Sequence, residues 1–137
     1  MDKEKRQAIE WLKASNDDLE SIKYLIEAEH LTNVVAFHAQ QAIEKSFKAL
    51  FEYKKIPFIK THNLEKLYKK IEDIIEVEYE ELECINELYI ESRYPGDMGL
   101  LSYGKPTLND AQEFYDFAKR VFNKVCTILD VSKEDIF

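Results

Sequence analysis

Residues that break helices are scarce in this 137-residue chain, and this scarcity constrains the fold more than any other feature. The chain has three glycines and three prolines, and all three glycines and two of the prolines fall in residues 95–106. Glycine and proline are the residues least tolerated inside a helix. We therefore expect long helices on both sides of a single loop between Tyr94 and Pro106.

Apolar residues recur in steps of three and four along most of the chain, which is the period of an amphipathic helix. The pattern predicts a first helix over residues 3–28 and a second from about Thr32 to Lys55. Pro57 ends the second helix, because proline lacks an amide donor and restricts the residue before it. Thr107 offers an N-cap for a last helix with a strict apolar seam.

Two further segments complete the prediction. A shorter helix is expected over residues 62–75 with Thr61 as a candidate cap, followed by a helix over about 79–93. The resulting fold class is all-α: an antiparallel up-and-down four-helix bundle with an additional short helix between the second and fourth. Residues 1–137 are long enough for one core and too short for two comfortable ones, so we expect a single domain.

Composition narrows the classes of partner and compartment. A net charge of -8 disfavours loose binding to DNA or to an anionic membrane, so any nucleic-acid contact must be local. Cys84 and Cys126 form neither a disulfide framework nor a metal-binding pair, and we expect reduced thiols. The charged N-terminus lacks an apolar signal core, which favours a cytoplasmic protein.

The stretch RYPGD is the most unusual local sequence. Arg93 and Tyr94 stand on the last predicted helical turn, directly before Pro95 and Gly96. Arginine can bind a phosphate through two parallel hydrogen bonds, and tyrosine can stack on a base. We interpret Arg93, Tyr94 and Asp97 as a small anion-recognition or partner-contact site. In the alternative, Arg93 neutralises the helix end or pairs with Asp97 to hold the loop.

A polar stripe runs along the second predicted helix. Phe37, Gln41, Glu44 and Lys48 recur on one face, and Lys45 lies beside them. The stripe can line a cleft, form a dimer interface or face water, and the pattern leaves all three open. If exposed, Glu44 and Lys48 are simply a helix-surface pair worth about 0.2–0.5 kcal/mol.

The histidines and acidic clusters carry weaker signals. His62 follows Thr61 at a predicted helix start, where polar side chains usually cap backbone groups and brace the loop. We favour this structural role, and a place in the cleft is the alternative. Neither His38 nor the glutamate-rich run 76–83 has convincing ligand spacing, so we expect no metal site and no cofactor.

Three blocks of sequence together point to a family. FHAQQAIEKSFKAL at 37–50, THNLEKL at 61–67 and RYPGD at 93–97 resemble the HEPN domain, the higher eukaryotes and prokaryotes nucleotide-binding helical bundle, in order and approximate spacing. The resemblance spans nearly the whole chain. It implies an up-and-down bundle, a homodimer that buries a helical face, and a polar cleft to which the second and fourth helices contribute.

The resemblance also implies what such a protein does. Many prokaryotic HEPN proteins act with a minimal nucleotidyltransferase as a toxin-antitoxin pair, and others are ribonucleases with an arginine followed, after four to six residues, by a histidine. Arg93 matches that arginine, but the histidine positions hold Met98, Gly99 and Leu100. Arginine binds charge and does not transfer protons at neutral pH, so we predict no catalytic residue and rank a metal-independent ribonuclease last.

Two classes of function therefore stand ahead of the ribonuclease. The first is a nucleotide- or RNA-interacting regulatory module, homodimeric, that works with a nucleotidyltransferase partner in a toxin-antitoxin-like pair. The second is a helical dimerisation or interaction protein without a small ligand, in which the face carrying Gln41 and Glu44 serves dimerisation alone.

Overall fold

The computed structural model describes residues 2–91 and 104–137, and the elements in these ranges are helices. They are α1 (Lys3–Leu25), α2 (Thr32–Lys54), α3 (Leu64–Lys69), α4 (Tyr79–Glu91), α5 (Leu108–Ile128) and α6 (Lys133–Ile136), with a 3-10 turn at Glu29–Leu31. The predicted all-α class is confirmed. Within the described ranges, no helix combines the length and apolar character needed to cross a membrane.

Helix α2 is central, because it contacts α1, α3, α4 and α5. Its contact with α1 is close, since small side chains lie between the two backbones. The Ser15 hydroxyl donates to the Ala42 carbonyl at 2.7 Å and lies 3.0 Å from the Ser46 hydroxyl. This close approach lets a short side chain of α1 reach polar groups on α2.

Helix α5 follows its predicted pattern. Thr107 caps it in a reciprocal box: its hydroxyl accepts from the Asp110 amide at 3.0 Å, and the Asp110 carboxylate accepts from the Thr107 amide at 2.8 Å. The predicted seam consists of Ala111, Phe114, Ala118, Val121, Val125 and Ile128, of which the first five are buried and Ile128 is partly buried. Burying each of its larger apolar side chains contributes about 1.5–3 kcal/mol, which fixes α5 against α2.

The prediction for the third helix was wrong in extent and in cap. Only α3 forms within the expected 62–75, and Asn63 caps it by accepting from the amides of Glu65 at 3.0 Å and Lys66 at 3.2 Å. The Thr61 hydroxyl instead accepts from the amide of Asn63, the capping residue itself, at 3.1 Å. Both residue types are good caps, and the path of the chain decides between them.

Other boundaries differ by a few residues. Helix α1 ends at Leu25 instead of residue 28, because Ala28 adopts an extended conformation before the 3-10 turn. Helix α2 ends at Lys54, and Lys55 takes a left-handed conformation with a φ of 56°, two residues before Pro57. The short C-terminal α6 was not predicted.

Candidate functional site

A buried carboxylate lies in the middle of α2. Glu44 is only 3% exposed. Its carboxylate accepts from Lys48 Nζ at 2.9 Å and Gln40 Nε2 at 3.2 Å, and His62 Nδ1 lies 3.1 Å from Oε1. Burying a carboxylate without partners is costly, so these three groups compensate its removal from water. We call these four residues the Glu44 cluster.

The connection between α2 and α3 is fastened to this cluster. Gln40 is fully buried, and its Nε2 also donates to the His62 carbonyl at 3.0 Å. The Gln41 amide in turn donates to Gln40 Oε1 at 2.6 Å. His62 therefore does not cap α3; its backbone and its ring are both held against α2.

The tautomer of His62 follows from its partner. A carboxylate only accepts hydrogen bonds. The His62 nitrogen that faces Glu44 is Nδ1, so Nδ1 carries a proton and donates it to the carboxylate. The side chain is 51% exposed, and Nε2 is the remaining polar atom of the ring. A ligand can therefore meet a histidine whose orientation is already set by a buried acid.

A second carboxylate cluster joins α1 to α2. Asp18 is 8% exposed and accepts from Lys45 Nζ at 2.7 Å, and its other oxygen lies 2.9 Å from His38 Nδ1. Asp18 thus anchors two side chains of α2 across the helix contact. We call these three residues the Asp18 cluster.

A row of rings links the two histidines. The Phe37 ring stacks on Tyr89 of α4, with centroids 6.1 Å apart, and lies edge-on to His38 at 5.5 Å. The Tyr89 ring is 6.0 Å from the His62 ring. Phe37 is 44% exposed, so this row offers an aromatic surface on which a base or an apolar partner can stack.

A second aromatic group borders the Glu44 cluster. Lys48 Nζ lies 5.2 Å from the centroid of the Trp11 ring, which is a cation–π distance. Phe58, half-exposed in the connection between α2 and α3, packs edge-on against Trp11 at 6.1 Å. Lys48 is therefore fixed between a carboxylate and an indole.

The structure describes five of the eight predicted site residues and brings four of these five together. Gln41, Glu44 and Lys48 belong to or contact the Glu44 cluster together with His62, and Lys45 belongs to the Asp18 cluster. The alternative in which Glu44 and Lys48 are a water-facing pair is wrong, because Glu44 is buried.

Three predicted residues are not placed. Arg93, Tyr94 and Asp97 lie outside the described residues, and the anion-recognition corner they form stays a prediction.

Sequence reasoning missed Asp18, Gln40 and Tyr89. A signal existed for Asp18, which lies three residues after the buried Ser15 and next to the buried Leu19 on the apolar face of α1. An acid at a core position is unusual unless it is paired. The partners of Gln40 and Tyr89 come from distant segments, and nothing local indicates them.

The two clusters are close to charge balance. Two carboxylates face two lysines, so a phosphate at this face would compete with Glu44 or Asp18 for the lysine nitrogens. Ring stacking and hydrogen bonds from histidine and glutamine suit this surface better than simple charge attraction. In the part of the chain that the structure describes, no group of three or more His, Cys, Asp or Glu is arranged to hold a metal ion.

The class of protein is thus a helical domain with a polar, ring-lined face on its central helix. A family model described as the HEPN domain matches residues 8–129, nearly the whole chain, and the chain belongs to the HEPN family. Neither a curated protein nor a solved structure gives a match to this chain.

Proposed function

We propose that this protein is a nucleotide- or RNA-interacting regulatory module whose ligand binds over the Glu44 cluster. The observation that carries this proposal is a half-exposed histidine oriented by a buried carboxylate, at one end of the row of rings that includes the exposed Phe37. If His62 only braced the connection between α2 and α3, its ring would not need to be exposed to solvent. Membership of the HEPN family supports the same class of ligand.

Each residue has a proposed part in binding. His62 Nε2 and the Gln41 side chain exchange hydrogen bonds with the ligand, and Phe37 stacks on a base. Arg93 takes the phosphate, with Tyr94 and Asp97 beside it, as the sequence predicts. Because the arginine lacks its histidine partner, the proposed role is binding without RNA cleavage. Cleavage of RNA that disappears in Arg93→Ala would contradict this.

The finer organisation belongs to the same proposal. We propose an antiparallel up-and-down arrangement of the four long helices, a homodimer and a cytoplasmic location. We also propose that a minimal nucleotidyltransferase is the partner in a toxin-antitoxin-like pair. Expression of the chain alone should slow growth or neutralise a toxic nucleotidyltransferase encoded beside it. Absence of any such effect in either direction would contradict the pairing.

A second candidate function is dimerisation without a small ligand. The exposed Phe37 ring favours it, because an aromatic side chain at a polar surface is a common anchor of a protein interface. Sedimentation of Phe37→Ala and Gln41→Ala distinguishes the candidates. Loss of the dimer in these variants, together with no nucleotide bound by the wild type, supports this second function.

The first function is tested by thermal unfolding with a panel of nucleoside mono-, di- and triphosphates. A ligand that binds only the folded protein adds about 2.7 kcal/mol at about a hundredfold excess over its dissociation constant. We expect one nucleotide to raise the melting temperature of the wild type, and to raise it less in Arg93→Ala. Lys133→Ala, which removes an exposed lysine of α6, should respond like the wild type. No shift with any nucleotide would contradict nucleotide binding.

A further inference from the structure

The charges of this acidic protein are distributed unevenly along the chain. Residues 45–70 contain eight lysines and two glutamates, a net charge of +6, whereas the rest of the chain has eleven basic and twenty-five acidic residues, a net charge of -14. A polyanion is therefore repelled by most of the molecule and attracted to one segment.

Of the lysines that follow α2 in this segment, four are available to a partner. Lys60, Lys66, Lys69 and Lys70 are all exposed, and none forms an ion pair with another described residue. Lys45 and Lys48, by contrast, are already paired with buried carboxylates. We call the four exposed lysines the basic surface.

Packing places the basic surface along one side of α2. The connection after α2 runs back along that helix, because Phe58 stacks on Phe51 with centroids 6.1 Å apart and His62 reaches Glu44. Helix α3 then packs beside the same part of α2, where Tyr68 stacks on Phe47 at 6.0 Å. The connection that carries Lys60 and the helix that carries Lys66 and Lys69 therefore both pack against α2.

Lys66 and Lys69 of α3, and Lys70 directly after it, share the outward side of this helix. Leu64, Leu67 and Tyr68 are buried, so the opposite side of this short helix faces solvent. Lys66 is three and four residues before Lys69 and Lys70, which are the spacings of neighbours on a helical surface. Three ammonium groups therefore project within about one helical turn of each other.

We propose that the basic surface binds the phosphodiester backbone of single-stranded RNA. This inference rests on the proposed function and extends it by naming a backbone-binding surface separate from the Glu44 cluster. Exposed, unpaired lysines gain affinity by releasing the counterions of the nucleic acid, which paired lysines do not.

Exposed rings favour single-stranded RNA over other polyanions. Phe58 is 50% exposed and His62 is 51% exposed by its side chain, and both lie in the connection that carries Lys60. A lysine surface bordered by exposed rings is the arrangement that binds single strands, because backbone charge and base stacking are satisfied together. An acidic peptide would leave the rings without stacking partners.

The test measures fluorescence anisotropy of a labelled single-stranded RNA of about 12 nucleotides, titrated with protein between about 50 and 200 mM salt. The variant carries Lys66→Gln, Lys69→Gln and Lys70→Gln. The charge-matched control carries Lys3→Gln, Lys23→Gln and Lys133→Gln, three exposed lysines outside this segment, of which Lys23 is paired with Glu20. Both variants therefore lose the same charge. All six side chains are exposed, and thermal unfolding confirms that both variants fold.

We expect the α3 variant to bind RNA at least tenfold more weakly at the lower salt concentration, and the control to stay within about twofold of the wild type. The slope of log affinity against log salt should fall by about two in the α3 variant, because each lost phosphate contact on a single strand contributes about 0.7. The nucleotide-induced thermal shift should be retained in both variants.

Three results of the RNA titration would overturn the inference. They are equal binding by the wild type and the α3 variant, equal weakening in both variants, and no RNA binding by the wild type. Binding of polyglutamate or of phosphatidylserine vesicles in place of RNA would assign the surface to another partner and would also overturn it. The proposed function fails separately, by loss of the nucleotide-induced thermal shift in the wild type.

Discussion

The Glu44 and Asp18 clusters contain the same three kinds of group, a buried carboxylate, a lysine and a histidine, but they join different parts of the molecule. The Asp18 carboxylate lies on α1 and both of its partners lie on α2. The Glu44 carboxylate lies on α2 and also holds His62, in the connection to α3. One cluster ties two long helices together, and the other ties an irregular segment to a helix.

Burial separates the clusters further. Glu44 is more buried than Asp18, and it has Gln40 as an additional donor, whereas His62 is twice as exposed as His38, at 51% against 25% of the side chain. The Glu44 cluster combines the more costly carboxylate with the more accessible histidine. The same chemical groups thus brace a helix pair in one place and hold a half-exposed ring in another.

The largest effect should come from Glu44→Gln, which keeps the shape of the side chain and removes its charge. We expect the free energy of unfolding to fall by about 3 kcal/mol, because removing one partner of a buried ion pair leaves the others uncompensated. Breaking a buried ion pair typically costs about 3–5 kcal/mol. The Lys48 side chain is 19% exposed, and its access to water places the loss at the low end of this range. Urea unfolding measures it.

The control for this prediction is Glu52→Gln on the same helix. Glu52 forms no side-chain hydrogen bond or ion pair with another described residue, and its substitution should change stability by less than about 0.5 kcal/mol. Equal stability of the two variants would mean that the Glu44 contacts do not stabilise the fold.

A smaller effect is expected from Asp18→Asn. We predict a loss of about 1.5 kcal/mol in unfolding free energy, because Lys45 and His38 are each about one quarter exposed and can turn to water when the charge is removed. Measurement by the same urea unfolding makes the two values comparable. A loss larger than that of Glu44→Gln would reverse the order of the clusters.

The smallest effect on stability should come from His62→Ala. Half of the side chain is already in water, so we expect a loss of no more than about 1 kcal/mol. His38→Ala, measured in parallel, should have a similar effect. A loss of about 3 kcal/mol in His62→Ala alone would mean that His62 is chiefly a structural brace.

Local sequence patterns predicted the parts of the fold that depend on local chemistry. The seam of α5 and its Thr107 cap were found because the periodicity and the capping residues are adjacent in sequence. The cap of α3 was missed because Thr61 and Asn63 are both good caps, and the choice depends on how the connection docks on α2.

Of the candidate site that the structure describes, sequence patterns predicted the residues on α2, and they gave His62 a place in the cleft only as an alternative. Gln41, Glu44, Lys45 and Lys48 are visible as a stripe, but the depth at which Glu44 lies depends on three segments packing together. The contact between Glu44 and His62 joins residues eighteen positions apart through an irregular connection, whose path no periodicity encodes. The role of Asp18 required knowing how closely α1 approaches α2.

The most direct test of the account compares ligand binding by His62→Ala and His38→Ala, two variants that remove the same group from the two clusters. The nucleotide that stabilises the wild type most is titrated into each variant by calorimetry. We expect at least a tenfold weaker affinity for His62→Ala, about 1.4 kcal/mol, and an affinity within about twofold of the wild type for His38→Ala. Equal affinities in the two variants would contradict the claim that the Glu44 cluster presents its histidine to a ligand.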